Sequence, residues 1–370
     1  MNDNIFVPHY TPSEGLNFNL EGIDRQKWLI ENMLIMPKHE AWLRREVTVR
    51  RASGTTRIEG GGLDETAVGK LVNSPTGKRM TDDEQMNLNA IEAYEFIDFL
   101  SDQPDIPIDE LAIRQINRLF IKNAPANLTP GVYRNGQNKI LGFVTPNQGD
   151  VPGLMRSFAL WLRKEDDMNP VLKAGITHIH MVAVHPFWDG NGRTARGLAT
   201  LILQRNGYGF RKLLDLESNL FDIRDNYFEA IRRTLGSRFR PDYDPAHWLQ
   251  FFSFTMSVHA QLLANRLTDW HRMMQKTQTA GEEAGLSQRQ VDGLMFAMRV
   301  EKMTRRDYIE VTETSPGTAS RDLAGLVKKG FLSAEGNTRS RVYQPVLPTP
   351  SLASERDSSQ LPLLEGDDQG

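Results

Sequence analysis

One string of twelve residues constrains the fold more tightly than any other: His185-Pro186-Phe187-Trp188-Asp189-Gly190-Asn191-Gly192-Arg193-Thr194-Ala195-Arg196. Pro186 disfavours helical geometry at His185, so the apolar helix read over Pro170–Val184 ends there. His185 is thereby set at the lip of a loop. Gly190 and Gly192 flank Asn191 and permit positive φ, so that backbone N–H groups converge into an anion nest. A helix read from Arg193 to about Arg205 follows at once, and its N-terminus adds unpaired N–H groups. Arg193 and Arg196 lie three apart and project from one side of its first turn. Cations at that end oppose the helix dipole, which points to an anion bound between them. Asp189 adds a hard oxygen ligand suited to magnesium that bridges phosphates. A base, a metal carboxylate, a nest and two arginines are equipment for transfer chemistry on a polyphosphate. No GxxxxGK[ST] phosphate loop is present.

The surrounding chain reads as mainly α. Residues 1–20 are polar and proline-containing, and read as an extended arm. Trp28, Leu29, Met33 and Leu34, then Trp42, Leu43 and Val47, recur at the spacings of a helical face. Gly60-Gly61-Gly62 stops the second of these helices. Two more helices are read over 64–100, broken at Asn73-Ser74-Pro75, and another over Pro107–Lys122. Pro130-Gly131-Val132-Tyr133-Arg134 reads as a turn, and 137–145 as a short hairpin. Helices are read at Gly153–Arg163, 222–235 and 245–275, with Gly207 as a left-handed cap. Residues 276–286 read as a linker, and those from Leu347 as a disordered tail. The chain has no cysteine, which excludes disulfides and thiol chemistry. It shows no signal peptide and no span of roughly 20 apolar residues, so it is read as cytoplasmic with no membrane partner. A net charge of -3 excludes polyanion binding by bulk charge.

The string resembles the signature of the Fic family, His-Pro-Phe-x-Asp/Glu-Gly-Asn-Gly-Arg-x-x-Arg, with every fixed position present. The wider resemblance covers about 50–270, including the 130–134 turn, the 137–145 hairpin and Tyr227. It implies a helical core with a β-hairpin flap, and transfer of AMP from ATP to a Ser, Thr or Tyr hydroxyl. On that resemblance His185 is the general base and Asp189 holds Mg²⁺ on the α- and β-phosphates. Asn191 fixes the α-phosphate, and Gly190 and Gly192 form the nest. Arg193 faces the pyrophosphate leaving group and Arg196 binds the γ-phosphate. Tyr227 either contacts the adenosine or is a buried core tyrosine. The 137–145 flap either docks an extended segment of a target protein by strand addition or is a plain surface hairpin.

Thr55-Thr56-Arg57-Ile58-Glu59-Gly60 places Thr55 and Glu59 one helical turn apart, ahead of a helix-ending glycine. A glutamate near a helix C-terminus runs against the dipole, which points to a cationic partner elsewhere. The string resembles the Fic inhibitory motif [S/T]xxxE[G/N]. That resemblance implies that Glu59 pairs with Arg196 and leaves ATP unproductively bound. In some relatives this glutamate is thought to serve AMP removal, so the reverse activity stays open.

The expected domains are therefore a helical region at 1–105 bearing the inhibitory helix, a catalytic core at 106–275, a small unit at 287–346 and the tail at 347–370. The small unit has the element order of a winged helix-turn-helix, and TASRDLAGLVKKGFL resembles its recognition helix and first wing strand. Basic residues outnumber acids there by ten to seven, which is too mild for strong DNA affinity to follow. Thr318, Ser320, Arg321, Arg339 and Arg341 are the candidate DNA contacts. Protein docking or dimerisation is the other use of such a unit, and the helical surfaces at 20–50 and 250–275 are candidate homodimer faces. Three functional readings are carried: an AMP transferase acting on a target or on itself, a DNA-binding regulator with a nucleotide-sensing core, and a transferase of another nucleotide or of phosphocholine.

Overall fold

The computed structural model describes residues 6–35, 37–73, 80–123, 129–140, 142–164, 167–300, 302–337 and 341–346. The chain divides into two units, Met1–Leu262 and Leu263–Gly370. Among the described residues no helix is long and apolar enough to cross a membrane.

The first unit is a helical assembly. It opens with α1 (Glu14–Glu31), α2 (Pro37–Ile58), α3 (Glu65–Val72), α4 (Asp82–Ser101) and α5 (Glu110–Phe120). A two-stranded hairpin follows, β1 (Lys139–Ile140) and β2 (Phe143–Val144), in the register Lys139↔Val144. Then come α6 (Val151–Leu162), α7 (Pro170–Val184), α8 (Asn191–Arg205), α9 (Leu216–Asp222) and α10 (Arg224–Leu235), and α11 (Ala246–Glu283) begins. Starts and stops are written locally. Asn169 caps α7 ahead of Pro170, Thr81 and Glu84 form a capping box on α4, and Gly207 ends α8 at φ 76°.

The core is built around α7, whose residues from Val171 to Val184 are buried apart from Lys173. A helix this largely apolar sits inside, and it takes Thr177, His178 and His180 into the core with it. It packs against α8, and α8 against α4 and α5, while α2 lies against α4 and α9. The α2–α9 contact is very close: a Cβ on Gly54 would stand 2.6 Å from the backbone nitrogen of Ser218.

Two expectations for this unit are corrected. The extended arm gives way to helix at Glu14, because Ser13 caps α1 by accepting from the Leu16 N–H. Within α1 the buried face is Leu16, Asn19, Ile23 and Ile30, whereas Trp28 is 69% exposed, and Leu34, beyond the end of the helix, is 83% exposed. The periodicity located a helix but not its inward side.

The second unit comprises the rest of α11, α12 (Gln288–Val300), β3 (Met303–Thr304), α13 (Arg305–Thr312), α14 (Pro316–Lys328), β4 (Leu332–Glu335) and β5 (Val342–Pro345). The strands form an antiparallel sheet in the order β3-β5-β4. Val291, Leu294, Met298, Tyr308, Leu323 and Leu326 fill its core. Asp322 on α14 is held by Arg289 at 2.6 Å and by the Tyr308 hydroxyl at 3.1 Å. The linker reading of 276–286 is corrected, since α11 runs on to Glu283. The segment is polar, but Met273, Thr277 and Gly281 are buried at four-residue spacing, which suffices to hold one helical face inward. Arg339 and the tail from residue 347 lie outside the described residues.

Candidate active site

His185 is the C-cap of α7 and adopts left-handed geometry, φ 49° and ψ 58°. Its N–H closes the helix onto the Met181 carbonyl at 3.0 Å. The loop beyond is pinned from inside by Asn191, which accepts from the Phe187 N–H and donates to the Phe187 carbonyl, both at 2.9 Å. Phe187 is buried against Tyr133. Two residues that the sequence reading passed over pin the loop from outside. Asn117 on α5 donates to the Asp189 carbonyl at 3.0 Å and accepts from the Gly131 N–H at 3.0 Å. The buried guanidinium of Arg134 donates to the carbonyls of His185 at 2.9 Å, Gly136 at 2.7 Å and Pro146 at 2.5 Å. The available signal for both was the Pro130–Arg134 turn, whose backbone sits against the loop.

Gly190 has φ 76°, and a Cβ there would stand 2.7 Å from Ile121 Cγ2. Position and conformation both demand glycine. Asp189 is 47% exposed, and its Oδ1 accepts from the Gly190 N–H at 2.6 Å and from Arg193 Nη2 at 2.9 Å. Arg193 is buried and also donates to the Phe120 carbonyl at 3.3 Å. The two arginines expected to clamp one anion are therefore divided, with Arg193 tethering Asp189. Asn191, expected on the α-phosphate, has its side-chain amide committed to Phe187.

Arg196 is fully buried and turns toward α2. Its Nη2 donates to Glu59 Oε1 at 2.8 Å and to the Thr55 carbonyl at 3.0 Å, and its Nε to the Thr55 hydroxyl at 3.1 Å. The end of α2 explains why that carbonyl is available. The Glu59 N–H bonds back to Thr56 and the Gly60 N–H to Arg57, so the last turn tightens to an i to i−3 pattern. Gly60 then leaves the helix at φ 92°. Arg224 donates to the Ile58 carbonyl at 2.7 Å and steadies the same end. The Glu59 side chain is 36% exposed and lies against the first turn of α8, where a Cβ on Gly192 would meet Glu59 Oε1 at 2.3 Å. The nest at the start of α8 thus already faces a carboxylate.

Of the two readings of Tyr227, its burial matches the core tyrosine. It is buried on α10, with Trp248 and His178 against its ring, and its hydroxyl meets Arg196 Nη1 at 3.3 Å and His178 Nε2 at 3.1 Å. Burial also sets the charge of His185. It pushes the imidazole pKa down to about 4, against the opposing pull of the Val182 carbonyl and the Glu59 and Asp189 carboxylates. The ring is neutral at pH 7 and able to accept a proton. For Arg196, burial opposes the charge, but the oxygens of Tyr227, Glu59 and Tyr94 more than offset it and raise the pKa above the usual arginine value.

Among the described residues no cluster of three or more His, Cys, Asp or Glu is placed to hold a metal ion. The half-exposed Asp189 fits magnesium only as one carboxylate sharing the ion with phosphates and water, which is how magnesium commonly binds. The hairpin at 137–145 offers one side for strand addition. The β2 edge is taken by 237–239, with the Val144 N–H bonded to the Ser237 carbonyl and the Phe239 N–H to that of Val144. An added strand would lie along β1.

A sequence model of the Fic/DOC family matches residues 107–203. The protein adenylyltransferase Fic of Drosophila ananassae is 44% identical over 80 residues, 21% of this chain and 16% of that protein. That of Drosophila virilis is 42% identical over 80 residues, with the same shares. The chain thus spans only 16% of the length of these relatives. Among solved structures, a Fic family protein from Desulfovibrio desulfuricans G20 superposes with a TM-score of 0.60 at 18% identity, covering 92% of this chain and 98% of that one. Fic-1 from C. elegans, residues 134–508, superposes with a TM-score of 0.57 at 21% identity, covering 70% and 73%. These likenesses establish the fold.

Proposed function

We propose that this chain, which carries a Fic domain at residues 107–203, transfers AMP from ATP to a hydroxyl of a target protein or of itself, and that Glu59 restrains it. The observation that carries this reading is the Glu59 carboxylate held by Arg196 at 2.8 Å against the N-terminal turn of α8. A site built for anions is filled by one of the chain's own. In the transfer, the neutral His185 takes the proton of the attacking hydroxyl. The hydroxyl oxygen bonds to the α-phosphorus, the bond from that phosphorus to the β-phosphate oxygen breaks, and pyrophosphate leaves. Gly190, its own N–H held by Asp189, turns the chain so that the first turn of α8 from Gly192 onward presents N–H groups to the phosphates, and Arg196, once released, receives the γ-phosphate. Asp189, tethered by Arg193, would hold Mg²⁺, which when bound spreads charge over the phosphates. Asn191 keeps the loop in shape, and the target's extended segment lies along β1. On this reading the protein works in the cytoplasm.

The test is incorporation from α-³²P-ATP with Mg²⁺ by Glu59→Gly protein, alone and with lysate, against the same protein carrying His185→Ala. A labelled band that requires His185 is expected. Absence of label from ATP and from other nucleotide donors overturns the reading. Loss of AMP from a pre-labelled target would assign the reverse reaction instead.

A second reading, DNA binding by the unit at 287–346 as a winged helix, is favoured by the solvent face of α14. Gly317, Ser320, Arg321, Ala324 and Lys328 are exposed there, and the helix's one acid, Asp322, is turned inward to Arg289. A cationic face of small side chains can approach a groove closely. Anisotropy of a labelled duplex at rising salt tests it, with binding weakened by Arg321→Ala and indifferent to His185→Ala as the expected result. Binding indifferent to Arg321→Ala refutes it.

A further inference from the structure

Arg196 is gripped from two sides. Three of its hydrogen bonds run to Thr55 and Glu59 at the end of α2, and the fourth runs to Tyr227 on α10. Thr55 shares its helix end with the glutamate that must give way. Tyr227 does not.

The chemistry of the Tyr227 contact is directional. A guanidinium only donates, so the Tyr227 oxygen accepts from Arg196 Nη1. The phenolic proton then goes to His178 Nε2 at 3.1 Å. That nitrogen accepts only in a neutral imidazole carrying its proton on Nδ1. Burial, and secondarily the charge of Arg196, keep His178 well below the ordinary histidine range, as this requires. Neither ring is free to swing: His178 stacks on Trp248 at 4.6 Å, and Tyr227 meets the same indole edge-on at 5.9 Å. His178 also lies seven residues before His185 on α7, so a single helix carries the expected base and this support.

We propose that Tyr227 and His178 are positioning residues for the nucleotide, holding the Arg196 guanidinium on its aim at the terminal phosphate once Glu59 gives way. The inference rests on the reading of Arg196 given under Proposed function.

Affinities of ATP and ADP with Mg²⁺, measured by calorimetry in the Glu59→Gly background, test it without requiring any transfer. ADP lacks the phosphate that Arg196 would receive and serves as the internal control. Tyr227→Phe keeps the ring and removes the hydroxyl. It should weaken ATP about fivefold and leave ADP unchanged, the size expected for one hydrogen bond to a charged group felt indirectly. His178→Phe keeps the stack on Trp248 and removes the acceptor, and should do the same. The double variant should lose no more than either single one, because the two act as one unit. Tyr243→Phe is the matched control: its hydroxyl meets His180 Nδ1 at 3.2 Å in an equally buried pair that does not contact Arg196. It should leave the ATP-to-ADP ratio unchanged. Equal losses for ATP and ADP, or the same loss from Tyr243→Phe, overturn the proposal. So does a Glu59→Gly protein that shows no preference for ATP over ADP. A protein that passes this test yet transfers no label refutes the transferase and leaves the positioning role standing.

Discussion

Removing Glu59 should cost stability and improve ATP binding together, and the structure sets the size of both effects. In Glu59→Gly the buried Arg196 loses its carboxylate but keeps the two Thr55 acceptors and Tyr227. Breaking a fully buried ion pair costs roughly 3–5 kcal/mol, whereas exposed pairs contribute about 0–1 kcal/mol. With Glu59 36% exposed and three acceptors remaining, the loss falls between, at about 2 kcal/mol. For a unit of this size that lowers Tm by roughly 4–8 °C. On the proposed function, the same energy, about 2 kcal/mol, is what ATP must spend in the wild type to displace the carboxylate from Arg196. Its apparent affinity should therefore be about 30-fold weaker there than in the variant. Thermal melts of both proteins across an ATP–Mg²⁺ titration read the two numbers at once. Without nucleotide the variant should melt lower, and with ATP it should recover at a much lower ligand concentration. If the two proteins melt alike without ATP and respond at the same concentration, Glu59 does not hold Arg196 in solution and the reasoning fails.

Other outcomes follow from the same geometry. His180 and His185 are held neutral by burial, with pKa values down to about 3 and about 4. The unfolded chain takes up more protons below pH 6.5, so stability is full above that value and falls as pH drops toward 4, by about 1.4 kcal/mol per unit for each ring. A Tm that stays flat from pH 7 to 5 would contradict this. Gly190→Ala meets Ile121 and Asn117 at φ 76°, and denaturant titration should show a loss of about 2–3 kcal/mol. Gly54→Ala drives a methyl into the α9 backbone, so auto-modification should rise while Tm falls, with Glu59 still present. Arg134→Lys cannot hold three carbonyls at once. Transfer kinetics should show kcat falling about tenfold with little change in KM for ATP.

The legible part of the site was the part set by backbone necessity. Pro186 and Gly190 fix where α7 stops and how the loop turns into α8, and each acts on its immediate neighbours, whereas Gly192 sits inside α8 and is held to glycine by the distant Glu59. Side-chain destinations depend on distant residues and were harder to read. Arg193 and Arg196 share one side of a helix turn, yet one turns to Asp189 and Phe120 and the other to residues 55, 59 and 227. Tyr227 carries the composition of a base-stacking residue, but its burial comes from Trp248 and His178, far away in sequence. Arg134 resembled a plain turn residue because the three carbonyls it gathers meet only in the folded chain. In the second unit a polar stretch was mistaken for a linker, since Thr277 and Gly281 alone keep that part of α11 inward.

The Thr55 carbonyl has a consequence for how such a chain can vary. Half of the grip of α2 on Arg196 besides Glu59 is main chain, and main chain is the same whichever amino acid stands at position 55. On the proposed function, a single codon change at 59 would turn the restraint up or down. Shortening the chain to begin beyond Glu59 would instead strip a buried guanidinium of three of its four hydrogen bonds and uncover the α9 surface on which Gly54 rests. The adjustable element and the supporting beam are one piece of backbone, so on the proposed function the activity would be retuned by inheritance at a single side chain while the helix that bears it stays indispensable.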